Sequence, residues 1–411
     1  MINFLKSNKI SLTFMSFIFA LGIYFCFKNN YGWDWDSYAM IDTYLNILEN
    51  GSYSRSRGAG YIIPEIGIGF LSYYMGSFVV NIVSFLFLIA GLIFLYRSLT
   101  KILEKHLTFD RAKNNEMMIV FLLICLTNHI VFRDSTIPMD YSWSFLFYSM
   151  GFYFITRRQI ELSIIFFSLC FGSRFNFIVF ILPTIFLLGK PFIDNKIKLL
   201  MTFIITTYGG LFYLPSWIQS SFSLDFIFSS NWYNAFKPAP ILSLEEFARF
   251  FHKTISTFGL LFLGSSIYML IVNNIKIFTI YKNYKMVIIL ILINFLVFFF
   301  FPWEPSFLWV SIFLLNFILI TSLQKKFLYF LIFINFFNWF YEAKIIQVNY
   351  TNNGCYKQPN EALLKFHFEK GIMLSIKERS DHTKCYPDLL GKNTKIIKYK
   401  FEIHEGSKLI N

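Results

Sequence analysis

The stretch Ile10 to Phe27 reads ISLTFMSFIFALGIYFCF, without a charged side chain or a proline. Its apolar side chains fall on consecutive positions, as in a helix that meets an apolar environment all round; a membrane β-barrel would alternate apolar and polar. A helix needs about 17 to 25 such residues to cross a hydrocarbon core of about 30 Å. Soon after it the character reverses. Trp33 to Tyr38 reads WDWDSY, and Asn50 to Glu65 reads NGSYSRSRGAGYIIPE. A second apolar run, Phe78 to Tyr96, follows. Acidic and arginine-bearing residues are thus held at the mouth of a membrane protein.

That pattern extends through the chain. Of 411 residues, 56% are hydrophobic and 15% charged, with a mean hydropathy of +0.53; a soluble protein would carry about 25% charged residues. The expected fold is an all-α polytopic membrane protein with about eleven transmembrane helices, interfacial helices in its outer loops and a small polar C-terminal segment. The net charge of +13 is spread over loops, among them Lys6 and Lys9, Arg97 to Lys113, Arg157 and Arg158, Lys190 to Lys198, and Lys325 and Lys326. If these loops share the cytoplasmic side, they obey the positive-inside rule and call for no nucleic-acid partner.

On that map the N-terminus is cytoplasmic, and the first span reads as an anchor rather than a cleaved signal. The Trp33–Glu65 segment lies outside. Tyr61 to Gly76 forms an interfacial helix, and the second span starts near Ser77. A short outer loop, Arg133 to Asp140, joins the next two spans. Leu162 to Leu188 is interrupted at Gly172-Ser173-Arg174-Phe175-Asn176. It forms either two short spans with Arg174 at the outer apex, or one tilted helix with Arg174 buried, which would need a partner. In the long outer loop Pro215 to Thr257, Ser243-Leu244-Glu245-Glu246 has the form of a capping box. The helix it starts puts Arg249, His252 and Lys253 on one face. Residues 1–341 form the membrane domain. Residues 342–411 form an extracytoplasmic tail in which Cys355 and Cys385 are either a disulfide or two free thiols. Cys26, Cys125 and Cys170 lie in apolar segments as core residues.

Several polar residues are candidates for chemistry. Asp34 and Asp36 are either interfacial residues beside Trp33 and Trp35 or a general base, since a carboxylate can take the proton of an attacking hydroxyl. Arg57 and Glu65 share their loop with Gly58 and Gly60, and an arginine fork suits a phosphate leaving group. Asp134 and Asp140 are second carboxylates, or, for Asp140, a helix cap. Arg174, with Arg249, His252 and Lys253, is a candidate cradle for a lipid phosphate. Glu304, in Trp303-Glu304-Pro305-Ser306-Phe307, stands at the outer end of two apolar spans. No P-loop, G-x-G-x-x-G, H-E-x-x-H or G-x-S-x-G motif occurs, and no histidine has a partner at metal-ligand spacing. A cofactor is therefore unassigned, with a divalent metal at the outer carboxylates left open.

Taken in order, three pieces resemble the GT-C superfamily, the polytopic glycosyltransferases that take sugars from polyprenyl-phosphate carriers. The first is Asp36 (with Asp34 beside it), Tyr38, Asn50-Gly51 and Tyr53. The second is Ser56, Arg57, Gly60, Tyr61 and Glu65, similar to a Ser-Arg-x-x-Gly-Tyr-Pro-x-x-Glu stretch without its usual prolines. The third is Trp303 to Phe307, similar to a late His-Glu or Pro-Glu motif that here lacks the preceding basic residue. The resemblance implies an inverting sugar transfer from a polyprenyl-phosphate donor to a glycan, lipid or protein acceptor on the outer face of a bacterial-type inner membrane. It implies Asp36 as base, with Asp34 as substitute. The alternatives are a transporter or flippase for a lipid-linked saccharide and a polysaccharide polymerase or ligase. The absence of an internal repeat and of many mid-span charges argues against the transporter.

Overall fold

The computed structural model of the chain describes residues 9–32, 35–56, 60–104, 111–223, 244–273, 277–300, 305–353, 356–371 and 373. The chain divides into two compact units, each drawn from separated stretches. The described residues of the first lie within 23–102 and 135–223, and those of the second within 9–22, 103–134 and 244–373. Helix α1 (Lys9–Lys28) belongs to both, the division falling after Gly22.

The first unit goes on with α2 (Trp35–Asn50) and α3 (Ile62–Ile102). Helix α3 is broken at Gly76, whose φ of 78° and ψ of 176° suit glycine almost alone. The break falls where the sequence reading ends the interfacial helix and begins the second span. One turn further on, Asn81 Nδ2 donates to the carbonyls of Cys26 (3.0 Å) and Asn30 (2.6 Å). It thereby satisfies a carbonyl of the last turn of α1 and one two residues beyond its end. Helices α6 (Asp140–Thr156) and α7 (Ile160–Ser173) pack on, with Trp143 joining Tyr38, Met40, Ile41 and Ile68 in the core. Close approach depends on small residues: a Cβ at Gly69 would lie 2.1 Å from Tyr44, and one at Gly151 2.6 Å from Phe167.

Helix α7 stops at Arg174, which is extended (φ −159°, ψ 109°), and a 3-10 turn at Phe175–Phe177 follows. The interruption read from the sequence is present. Its apex is not solvated, however, because Arg174 is only 2% exposed. After α8 (Ile178–Pro183) and a π-helical turn at Thr184–Leu188 come α9 (Asn195–Leu211) and α10 (Leu214–Gln219).

In the second unit, α4 (Arg111–Leu126) and α5 (His129–Ser135, its last residue on the far side of the division) meet at 83°. Such a bend frees backbone groups, and away from water side chains must take them. Asn128 Oδ1 accepts from the amides of Ile130 and Val131, both at 3.1 Å, while its Nδ2 donates to Thr257 O at 2.9 Å. Asn335 Nδ2 donates to Ile124 O (3.1 Å) and Trp339 Nε1 to Thr127 O (2.7 Å). A second bend, 72°, joins α11 (Leu244–Phe258) to α12 (Leu260–Val272) at Gly259. The Ser243 cap expected for α11 lies outside the described residues. Helices α13 (Ile277–Phe300), α14 (Trp309–Ser322) and α15 (Lys325–Phe337) complete the helical part.

The tail does not continue the all-α pattern. It opens as an antiparallel hairpin, β1 (Tyr341–Asn353) against β2 (Tyr356–Lys370), with Ala343 opposite Phe368 and Asn353 opposite Tyr356. Residues 374–411, with Cys385, and Cys355 lie outside the described residues, as does the disulfide reading that rests on them.

Among the described residues three helices, Ile10–Lys28, Ile62–Ile102 and Ile280–Phe299, are long and apolar enough to cross a membrane, or five if each bent pair counts as one span. Shorter apolar helices occur at Ile160–Ser173, Phe175–Leu188 and Ser306–Ser322. Many large apolar side chains point outward: Phe203 is 69% exposed, Ile271 67% and Leu292 60%. An apolar exterior on long helices is the surface hydrocarbon solvates and water does not.

Candidate functional site

Three carboxylates of the first unit, Asp36, Glu65 and Asp140, each occupy the first turn of a different helix, and all three are buried. The first turn presents backbone N–H groups without intrahelical acceptors, a favourable setting for an anion. Asp36 opens α2 and is 5% exposed. Its neighbour Ser37 donates Oγ to Met139 Sδ at 3.3 Å, and Asn29 Nδ2 donates to Thr136 Oγ1 at 2.9 Å. The start of α2 is therefore fastened to the segment that leads into Asp140.

Asp140 and Arg174, read from the sequence on separate loops, are brought together. Arg174 Nε lies 3.5 Å from Asp140 Oδ2, and neither side chain is more than 3% exposed. The guanidinium also lies over the Tyr141 ring, Cζ 3.8 Å from its centroid, and one NH2 donates to the Tyr141 hydroxyl at 3.2 Å. A planar cation meets a carboxylate edge and an aromatic face at once, which a lysine cannot reproduce.

Glu65 is fully buried and gathers its own loop. One oxygen accepts from Tyr53 Oη at 2.7 Å; the other accepts from the Ser56 amide at 3.0 Å and from the Ser56 hydroxyl. Gly60 passes beneath at φ 74°, and a Cβ there would lie 2.2 Å from Ser216 Oγ. Arg55 ties the loop to α10 through Ser220 Oγ at 3.0 Å. Burial first, then the Glu65 charge, push the Tyr53 phenol above its ordinary range, so it remains a proton donor. The charges of Glu65 and Asp140 both reach the buried Tyr213 hydroxyl. Tyr53, Ser56, Gly60 and Glu65, which carry part of the sequence resemblance, thus converge. Asp34, Arg57 and Glu304 lie outside the described residues.

The second unit holds a separate polar cluster. Asp134 pairs with the adjacent Arg133, Nε to Oδ1 2.5 Å. His252 and Lys253 line a cleft of about 260 Å³ together with Arg133, Lys344 and Lys370. Arg249 belongs to the same helix, but its side chain lies outside the described residues. Glu342 is held 2.7 Å from Lys344 and 3.4 Å from His129. Burial alone would raise its pKa. The opposing charges of His129, Lys344 and Arg133, with the Lys344 hydrogen bond, outweigh burial and bring it from 4.5 to about 2.

Sequence reasoning missed Tyr141, Ser216 and the whole hairpin contribution. Tyr141 follows Asp140 directly, yet nothing in the sequence names a partner thirty residues on. The hairpin did leave a signal: Lys365 to Lys370 alternates charged or histidine residues with Phe366 and Phe368, and Asn353-Gly354 is a strong turn pair. Among the described residues no group of three or more His, Cys, Asp or Glu side chains is arranged to hold a metal ion. No known protein family, curated protein or solved structure compared with the chain matches it.

Proposed function

We propose that this chain is a multi-pass membrane glycosyltransferase of the GT-C type, using a polyprenyl-phosphate sugar at the extracytoplasmic face, with the shorter apolar helices also crossing the bilayer. The observation that carries the reading is Asp36: an acid in the first turn of α2, buried, fastened beside the segment that begins with Thr136 and ends in the Asp140–Arg174 pair. In the proposed reaction a carboxylate, Asp36 or in its place Asp34, takes the proton of the acceptor hydroxyl. The acceptor oxygen forms its bond to the anomeric carbon as the bond from that carbon to the carrier phosphate oxygen breaks. The polyprenyl phosphate leaves with the bonding electrons, and the anomeric configuration inverts.

The Glu65 network supports the same reading by fixing Tyr53 and Ser56, which flank Arg55, since positioning counts for much of such catalysis. The competing reading, a transporter for a lipid-linked saccharide, draws on the buried Asp140–Arg174 pair, because ionisable groups deep among membrane helices often mark a pathway. Sealed proteoliposomes loaded with a polyprenyl-phosphate sugar, with acceptor glycan outside, separate the two. A new glycosidic bond supports the transferase. Movement of intact donor across the bilayer with no new bond would overturn it.

A further inference from the structure

Helix α10 (Leu214–Gln219) has two faces with different neighbours. Ser216 and Ser220, four residues apart, point the same way. Ser216 is buried with its Oγ 3.4 Å from Tyr53 Oη, and Ser220 Oγ accepts from Arg55 at 3.0 Å. Just ahead of the helix, Tyr213 donates its hydroxyl to the Phe171 carbonyl near the end of α7. The polar face thus carries Tyr53 and Arg55, and it is pinned to the helix that leads into Arg174. The other face presents Trp217 and Ile218 and, just past the helix, Phe222, all exposed. The turn that places Phe222 is strained. Ser221 and Phe222 are both left-handed, with φ of 52° and 61°, a conformation that bulky side chains rarely take. Two hydrogen bonds hold it: Phe222 N donates to Trp217 O at 2.9 Å, and Trp217 Nε1 donates to Phe222 O at 2.7 Å. The two rings are set edge to face with centroids 5.4 Å apart, and Phe222 is 61% exposed. Exposed rings held together at the cost of backbone strain gain nothing from water. The indole N–H is satisfied inside the chain, so the pair enters an apolar layer without losing a hydrogen bond.

We propose that α10 is seated in the headgroup layer of the bilayer, with Trp217, Ile218 and Phe222 reaching the edge of the hydrocarbon, and that this seat fixes where Tyr53 and Arg55 are held. What covers the apolar face follows from what it continues. It comes directly after the exposed Phe203, Tyr208 and Leu211 of α9, part of the apolar exterior that hydrocarbon solvates. From Leu199 to Ser223 the chain has no charged side chain, whereas a face built for another soluble protein is rimmed by polar and charged groups. Aromatic side chains gather at the boundary between hydrocarbon and water, and α10 ends in two of them. The proposal rests on the membrane placement of the apolar helices and is independent of the sugar-transfer reading. It would hold even if Asp36 proved to be no more than a helix cap.

The test uses the full chain in proteoliposomes of phosphatidylcholine and phosphatidylglycerol, with the photo-crosslinker p-benzoylphenylalanine introduced at Phe222 or at Ile218. After irradiation, mass spectrometry of the intact protein should find phospholipid adducts at both positions. Adducts to a second copy of the chain in their place, or no lipid adduct at either position, would overturn the proposal. A second measurement reads the link to the loop, in nanodiscs of the same lipids, where both faces are open to protease. Ile218→Asp combined with Phe222→Asp drives this face out of the apolar edge, and tryptic cleavage at Arg55 should speed up by about tenfold as the Ser216 and Ser220 contacts loosen. Ile218→Leu combined with Phe222→Leu keeps the face apolar and should leave cleavage at the rate of the unaltered protein. Equal cleavage of the Asp and Leu pairs would show that the seat does not hold the loop and would overturn that part of the proposal.

Discussion

Burying a guanidinium costs its hydration, and the Asp140 carboxylate, the Tyr141 face and the Tyr141 hydroxyl offset part of that cost for Arg174. Removing one partner takes the opposite charge away from a buried ionised group. Arg174→Ala and Asp140→Asn are each expected to cost about 3 to 5 kcal/mol, seen as a lower thermal aggregation temperature in detergent. The double variant should cost less than the sum, because the two side chains act as a pair. Strict additivity would show that they do not. At Gly60 the backbone is left-handed and the space beneath is filled, so Gly60→Ala should destabilise by about 1 to 3 kcal/mol and loosen the loop around Glu65. Limited proteolysis between Gly51 and Gly60 would report it. The sequence made legible that a buried Arg174 needs a partner. Which partner it has was not legible, because ion pairing between α6 and α7 leaves no local periodic trace.

Bends and ends carry the elements. Asn128 both caps α5 and donates to Thr257 O, so Asn128→Ala should cost about 1 to 3 kcal/mol, more than an ordinary exposed cap. Asn128→Asp keeps the acceptor for Ile130 and Val131 but removes the donor, and equal stability of the two variants would contradict the dual role. The break in α3 at Gly76 falls where the sequence reading ends one helix and begins the next, since glycine can take a backbone angle other residues avoid. The 83° bend of α4 against α5 was not legible, because part of what satisfies its freed carbonyls comes from α15 and beyond, far away in sequence. Hydropathy marks the hairpin only as a polar tail; its strands are legible in the alternation of Lys365 to Lys370. A lone hairpin is marginal, so its base contacts matter. Glu342, with a pKa of about 2 in the folded chain against an ordinary 4.5, contributes stability that is complete above the ordinary value and lost as pH falls through the folded one. The contribution is on the order of 3 kcal/mol. Protection of the amides at the base of β1, taken relative to intrinsic exchange at each pH, should therefore fall from pH 5 towards pH 2, and Glu342→Gln should remove that dependence. An unaltered pH profile in the variant would count against the contact.

At the scale of the molecule, long apolar helices with outward-facing Phe, Ile and Leu side chains and basic loops between them favour one placement in a bilayer. A thiol at the exposed Ser52 position should be labelled from the extracytoplasmic side of intact cells, and one at the exposed Arg158 only after permeabilisation. Ser37 is unsuitable for such a label, being buried against Met139. The reverse pattern would invert the topology and remove the proposed site from the face where it is expected to work. The proposed chemistry needs a carboxylate, Asp36 or Asp34, to act as the base. Sugar transfer from a panel of polyprenyl-phosphate donors, measured for the unaltered protein and for Asp36→Asn and Asp34→Asn separately, tests that directly. One of the two variants should retain its fold, still bind donor, and lose about 10²-fold to 10⁴-fold in rate. Full transfer by both variants, or none by the unaltered protein from any donor, would contradict it.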